Sequence, residues 1–219
     1  MQTIDYISKD VKALQLSDTV DSAKLLFNEL IFTHLPIVEN GIFVGLISES
    51  DLPTSENDTK KLTDFQYLFQ HFSTSANANW FDLLKDFASN DANIIPVITE
   101  DRKYLGYFEL IDILHFFNNT PFLKDDGTIL IVSKNKNDYS LSEVAQIIER
   151  NSARLFGAFI SKSEGQHIEI TIKLNTQNIN EIIQTFRRYE YTIVTEIKED
   201  HYLNDLKERS EYLQKYLNI

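Results

Sequence analysis

The sequence predicts an α+β chain of two units: a tandem pair of strand–helix repeats, then a ferredoxin-like βαββαβ domain closed by a C-terminal helix. Three observations predict it. An internal repeat links "HLPIVENGIFVGLISESDL" (34–52) to "IIPVITEDRKYLGYFELIDIL" (94–114). Downstream of it, apolar residues alternate between a period of two and a period near 3.6 in the order strand, helix, strand, strand, helix, strand. The charge also steps between the halves. Residues 1–118 hold 8 Lys and Arg against 18 Asp and Glu, a net of −10, whereas residues 119–219 hold 13 against 15, a net of −2.

In the repeat, Pro36 lies 60 residues before Pro96, and Gly45 lies 61 before Gly106. Each Gly is followed six positions later by an Asp, Asp51 and Asp112. Each copy opens with a short strand, "ALQL" in the first. An amphipathic helix follows. In the first copy Val20, Ala23, Leu26, Phe27 and Leu30 share a face, with Ser17 or Asp18 as N-cap. In the second copy Trp80, Leu83, Leu84 and Phe87 share one. Two strands and a closing helix complete each copy. A unit of about 50 residues buries too little surface to stand alone, so two copies are expected to pack together. The repeats are placed at about 1–55 and 66–118, joined by the polar stretch "PTSENDTKKLTDFQYL" (53–68).

Residues 119–128, "NTPFLKDDGT", read as a linker. The second unit spans 129–198. "TILIVSK" alternates as a strand, and "YSLSEVAQIIERN" turns Leu141, Val144, Ala145 and Ile148 to one face as a helix. "LFGAFISKS" and "HIEITIKL" flank "EGQ" as a hairpin. "NINEIIQTFRRYE" turns Ile179, Ile182, Ile183 and Phe186 inward, and "YTIVTEIK" is the last strand. The tail, 199–219, carries Leu203, Leu206, Leu213 and Leu217 at helical spacing. It is expected to lie on its own domain or against a second subunit.

The pattern apolar-Pro-Val/Ile, polar turn, Gly-apolar-apolar-Ser-x-x-Asp resembles the CBS domain, and its duplication resembles a tandem CBS pair (Bateman module) over residues 1–118. The second unit is similar to the ACT domain, although "NKNDYSLSEV" keeps Asp138 and has Tyr139 or Ser140 where that family has a Gly. The arrangement resembles bacterial regulators of the acetoin-utilisation type. The CBS resemblance implies a ligand such as AMP, adenosine or a related adenine nucleotide. It implies that Ser48 contacts phosphate or ribose, Asp51 accepts from ribose hydroxyls, and His34, Leu35 and Pro36 line the adenine. Lys12 is the candidate phosphate cation. A carboxylate only accepts and vicinal hydroxyls donate, so the chemistry fits. In the second copy Asp112 keeps the ribose position, but Glu109 replaces Ser48 and would repel phosphate. Two unequal sites are expected. The alternative for Ser48, Asp51 and Asp112 is capping of the helices that follow.

The remaining composition excludes several classes. A net charge of −12 disfavours nucleic acid and anionic membrane surfaces. Without cysteine there is no disulfide, thiol or zinc–thiolate chemistry. The five histidines are scattered, and no HExxH, GxSxG, Walker or GxGxxG motif occurs. The start, "MQTIDYISKD", shows no leader pattern. The expectation is a cytoplasmic, non-enzymatic regulatory protein with no metal site, sensing an adenine ligand and acting on a regulated protein. Its alternative is a ligand-free dimerisation or interaction scaffold. A homodimer is expected from the apolar "LIDILHFF", with Ile111, Leu114, Phe116 and Phe117.

Overall fold

The computed structural model describes residues 3–195 and 210–212. They divide into two compact units, with the boundary between Phe117 and Asn118. In the first unit, helix α1 (Val20–Glu29) precedes strands β1 (His34–Glu39) and β2 (Ile42–Ser48), which pair antiparallel. Helix α2 (Trp80–Ser89) and the antiparallel strands β3 (Ile94–Ile98) and β4 (Tyr104–Glu109) repeat the plan, and helix α3 (Leu110–Asn118) closes it. The N-cap of α1 is Thr19, whose hydroxyl accepts from the Ser22 amide at 3.2 Å. Asp18, expected as a cap, instead accepts from the Gln15 amide at 2.8 Å and holds the turn before the helix. Asn79 caps α2 by accepting from the Phe81 and Asp82 amides.

The repeat extends to individual hydrogen bonds. Leu14 donates to the Pro36 carbonyl and accepts from Val38; sixty residues on, Thr74 donates to Pro96 and accepts from Ile98. Each expected opening strand is therefore a single parallel bridge and not an extended element. Thr33 and Asn93, equivalent across the repeat, bond to each other: the Thr33 amide donates to Asn93 Oδ1 at 2.9 Å, and the Asn93 amide donates to Thr33 Oγ1 at 3.0 Å.

The closing helices differ. After β4, α3 runs for nine residues. After β2 there is only a 3-10 turn, Glu49–Asp51. Leu52 precedes Pro53, and a residue before proline is driven out of the helical region; Leu52 has ψ 135°. The expected closing helix of the first copy is thus cut short by one proline.

Each copy is completed by the stretch ahead of the other. Ser8 pairs with Tyr107 of β4, and Tyr6 and Ile7 pack on the second core with Leu83, Phe87, Ile95, Val97, Phe108 and Ile113. Gln70 pairs with Leu46 of β2, and Leu62, Phe65 and Phe69 join the first core around Val20, Phe27, Leu35, Ile37 and Ile47. The stretch 53–68, read as a connector, therefore ends as buried core, with 3-10 turns at Ser55–Asn57 and Leu62–Leu68. Lys24 ties it to α1 through Asp58 at 2.6 Å. The two glycines of the motif lie where these crossing stretches pass. A Cβ on Gly45 would meet Phe69 Cβ at 3.0 Å and the Gln70 carbonyl oxygen at 3.1 Å, and one on Gly106 would run into the Ser8 carbonyl oxygen.

The second unit is a four-stranded antiparallel sheet of β5 (Thr128–Asn135), β6 (Arg154–Glu164), β7 (His167–Asn175) and β8 (Thr192–Ile193), in the order β6-β7-β5-β8. Helices α5 (Leu141–Arg150) and α6 (Ile179–Arg188) supply the two α elements of βαββαβ, and this strand order is the ferredoxin-like one. The core takes Val144, Ile147 and Ile148 from α5 and Ile182, Ile183 and Phe186 from α6. Leu141, expected inward, is 44% exposed in the first turn of α5, and Ile147 takes the inward place. The expected linker 119–128 contains a short helix, α4 (Pro121–Lys124). Its Phe122 packs over Gly157, and Lys173, almost buried, donates to the Leu123 carbonyl at 3.2 Å. The end of the last expected strand and most of the expected C-terminal helix lie outside the described residues, apart from a helical 210–212.

Candidate functional site

Ser48 is the last residue of β2 and the cap of the short 3-10 turn. Its hydroxyl accepts from the Ser50 amide at 3.3 Å and lies 2.8 Å from Ser50 Oγ. Asp51, three residues on, caps nothing. It is exposed, and the Gln70 side-chain amide donates to its Oδ2 at 3.1 Å. Gln70 arrives from the crossing stretch, held on β2 by its two backbone bonds to Leu46. A capping hydroxyl and an exposed carboxylate therefore share one cleft, with the Gln70 amide orienting the carboxylate.

His34 begins β1 and is paired with Ser48 across the hairpin. Its Nδ1 lies 2.8 Å from Thr33 Oγ1, and its ring meets Phe72 edge-on at a centroid distance of 5.3 Å. Burial pushes the imidazole pKa below its ordinary 6.5; the Gln70 side chain and the Asp51 charge oppose that shift without cancelling it. The unfolded chain thus takes up this proton at higher pH than the folded one. His34 stabilises the fold fully above pH 6.5, and this contribution is lost as pH falls through the lower, folded value. His34→Gln is expected to make the urea midpoint fall less than in the wild type as pH drops below about 6.5.

Thr33, His34, Ser48, Glu49, Ser50, Asp51, Gln70, Asn90 and Asp91 line one cleft of about 410 Å³. Of the expected site residues, the structure brings His34, Ser48 and Asp51 together there. Leu35 is turned into the core at 1% exposure, and Pro36 is buried beside it on β1. Lys12 lines a separate cleft of about 450 Å³ with Lys9, Gln15, Glu39, Asn40 and Tyr104. The reason is the crossing: the stretch ahead of the first copy runs to β4, and Gln70 takes the place beside Ser48. Asp112 lies in a third cleft, of about 560 Å³, with Asp5, Asp10, Glu109 and Lys9 among its walls. Glu109 there has its pKa raised by burial first, then by the charges of Asp112 and Asp10. Gln70, Asn90 and Asp91 escaped sequence reasoning because long-range topology, not local spacing, delivers them. The 60-residue offset between Thr33 and Asn93 was the available signal, since it sets the start of the second copy against the end of the first.

A larger cleft, about 710 Å³, lies on the second unit between Asn151, Asn178, Asn180, Glu181, Gln184 and Arg188. It holds none of the expected residues. Among the described residues no group of three or more His, Cys, Asp or Glu is placed to hold a metal ion, and no helix is long and apolar enough to cross a membrane.

Residues 4–52 match the model of the CBS domain. An uncharacterized protein of Methanocaldococcus jannaschii is 23% identical over 110 residues, which are 50% of this chain and 42% of that protein, so the match spans less than half the relative's length. Among solved structures, a CBS domain pair/ACT domain protein from Thermotoga maritima is 18% identical, with a TM-score of 0.47 over 53% of this chain and 96% of the other. A Vibrio cholerae protein provisionally assigned to acetoin utilization (AcuB) is 20% identical, with a TM-score of 0.47 over 57% and 96%. The CBS protein CBSX2, solved in complex with AMP, is 20% identical, with a TM-score of 0.45 over 53% and 95%.

Proposed function

We propose that this chain, with a CBS domain at residues 4–52, is a non-enzymatic cytoplasmic regulator that senses an adenine nucleoside or nucleotide in the Ser48–Asp51 cleft. The observation that carries the reading is Asp51, an exposed carboxylate oriented by Gln70 beside the Ser48 hydroxyl in the same cleft. Two adjacent ribose hydroxyls are donors that a fixed carboxylate accepts from both at once. Occupancy would be passed on as a change in association with a regulated protein. The second unit is read as ACT-like on its βαββαβ order, with its α5 entry loop carrying Asp138.

A thermal-shift screen with adenosine, AMP, ADP, ATP and amino acids tests this. A ligand present at 100 times its Kd adds about 2.7 kcal/mol of stability, enough for a clear rise in Tm. At least one adenine compound is expected to give it.

A specific observation favours a second reading, the ligand-free scaffold. Ile111 and Leu114 on α3 are 50% and 47% exposed, an apolar face suited to a C2 homodimer. No shift with any compound, together with a dimer by light scattering, would select this reading over the first.

A further inference from the structure

Hydroxyls such as that of Ser48 can donate to a phosphate, but its charge is offset by cationic side chains or by the unpaired amides at the start of an α-helix. The Ser48–Asp51 cleft has neither. Among the described residues its walls include three carboxylates, Glu49, Asp51 and Asp91, and no Lys or Arg. Its imidazole, His34, is held toward the neutral form by burial. The segment after β2, expected to start a helix, is a three-residue 3-10 turn whose Ser50 amide is already given to Ser48 Oγ. The lysines that could have served lie elsewhere: Lys12 faces another cleft, and Lys24 is bound to Asp58. The equivalent cleft of the second copy is also negative, with Asp5, Asp10, Glu109 and Asp112 around Lys9, the one cation among its described lining residues, although it has Glu109 where the first has the Ser48 hydroxyl. Negative walls are thus a property of both copies. Glu49, Asp51 and Asp91 line the same cleft of about 410 Å³, and charges closer than about 8 Å are only partly screened at physiological salt.

We infer that the Ser48–Asp51 cleft selects a nucleoside without phosphate, and that a positive charge at the 5′ position strengthens its binding. This rests on the reading of the cleft as an adenine-ligand site and names the class of ligand it takes. Asp51 accepts from the ribose. Glu49 and Asp91 set the sign of charge tolerated at the rest of the molecule. Neither carboxylate has an ion-pair partner among the described residues that would mask it.

Calorimetric titration of the full chain with four related probes tests the inference: 5′-amino-5′-deoxyadenosine, adenosine, AMP and ATP. The amino compound is expected to bind tightest and adenosine next. AMP is expected to bind at least about tenfold more weakly than adenosine, and ATP more weakly still, with the spread narrowing as salt rises. Glu49→Gln combined with Asp91→Asn is expected to bring AMP close to adenosine while moving adenosine little. AMP binding as tightly as adenosine in the wild type, or no gain for AMP in the double variant, would overturn the inference and leave the adenine-sensing reading standing. No heat with any of the four would remove that reading, and the inference with it.

Discussion

Gly106→Ala is expected to destabilise the first unit by about 3 kcal/mol or more, with Gly45→Ala costing markedly less. Gly106 has φ +137°, a region that L-residues rarely enter, and forcing a side chain into such a conformation costs of order 1–3 kcal/mol. Its new Cβ would also press into the Ser8 carbonyl oxygen and lie 2.7 Å from Ile7 Cγ2. The first is backbone fixed by reciprocal bonds between Ser8 and Tyr107 of 2.9 and 3.0 Å, so relief requires prising that bridge apart. Overpacking of this kind adds about 1–3 kcal/mol. Gly45 has an ordinary φ, and its nearest contacts begin at 3.0 Å, so only the packing cost applies. Urea unfolding of both variants measures the difference. Equal costs would mean that the stretch at Ser8 does not press on β4 as described.

Local chemistry made much of this fold legible. The Gly-to-Asp spacing, the apolar-Pro pairs and the 60-residue offset between copies marked two similar hairpins. Those hairpins share their bonding down to the Leu14 and Thr74 bridges. The alternation in 129–175 marked three strands of the ferredoxin-like sheet, and "YTIVTEIK" marked the fourth, which forms at Thr192–Ile193. What was hidden has physical causes. The closing helix of the first copy is ended by Pro53, which outweighs the favourable pattern around it. Leu141 fits the apolar stripe of α5 but is its first residue and stays 44% exposed. The exchange of flanking stretches, Ser8 onto β4 and Gln70 onto β2, leaves no trace in local periodicity, because each stretch is short and pairs with a strand far along the chain. That exchange also decides the candidate site. Spacing within one hairpin sets His34, Ser48 and Asp51 together, whereas Gln70 and Asp91 join them, and Lys12 leaves, through topology alone.

Asp51→Ala is expected to weaken adenosine binding by about tenfold or more. A hydrogen bond to a charged group contributes about 1.5–3 kcal/mol, and Asp51 offers two acceptor oxygens already oriented by Gln70 at 3.1 Å. Alanine removes both and leaves the Gln70 amide without this partner. Asp112 also carries a carboxylate at the matching position of the second copy, but Glu109 stands beside it in place of Ser48, with Asp10 close by. Asp112→Ala is therefore expected to change adenosine binding much less, which makes it the internal control for a general effect of removing one negative charge.

The most direct test of the Ser48–Asp51 cleft as the sensing site is calorimetric titration of adenosine into the wild type, Asp51→Ala and Asp112→Ala side by side. The predicted result is binding by the wild type, near-wild-type binding by Asp112→Ala, and a loss of about tenfold or more in Asp51→Ala. Intact binding in Asp51→Ala with loss in Asp112→Ala would contradict it and place the sensing site in the second copy.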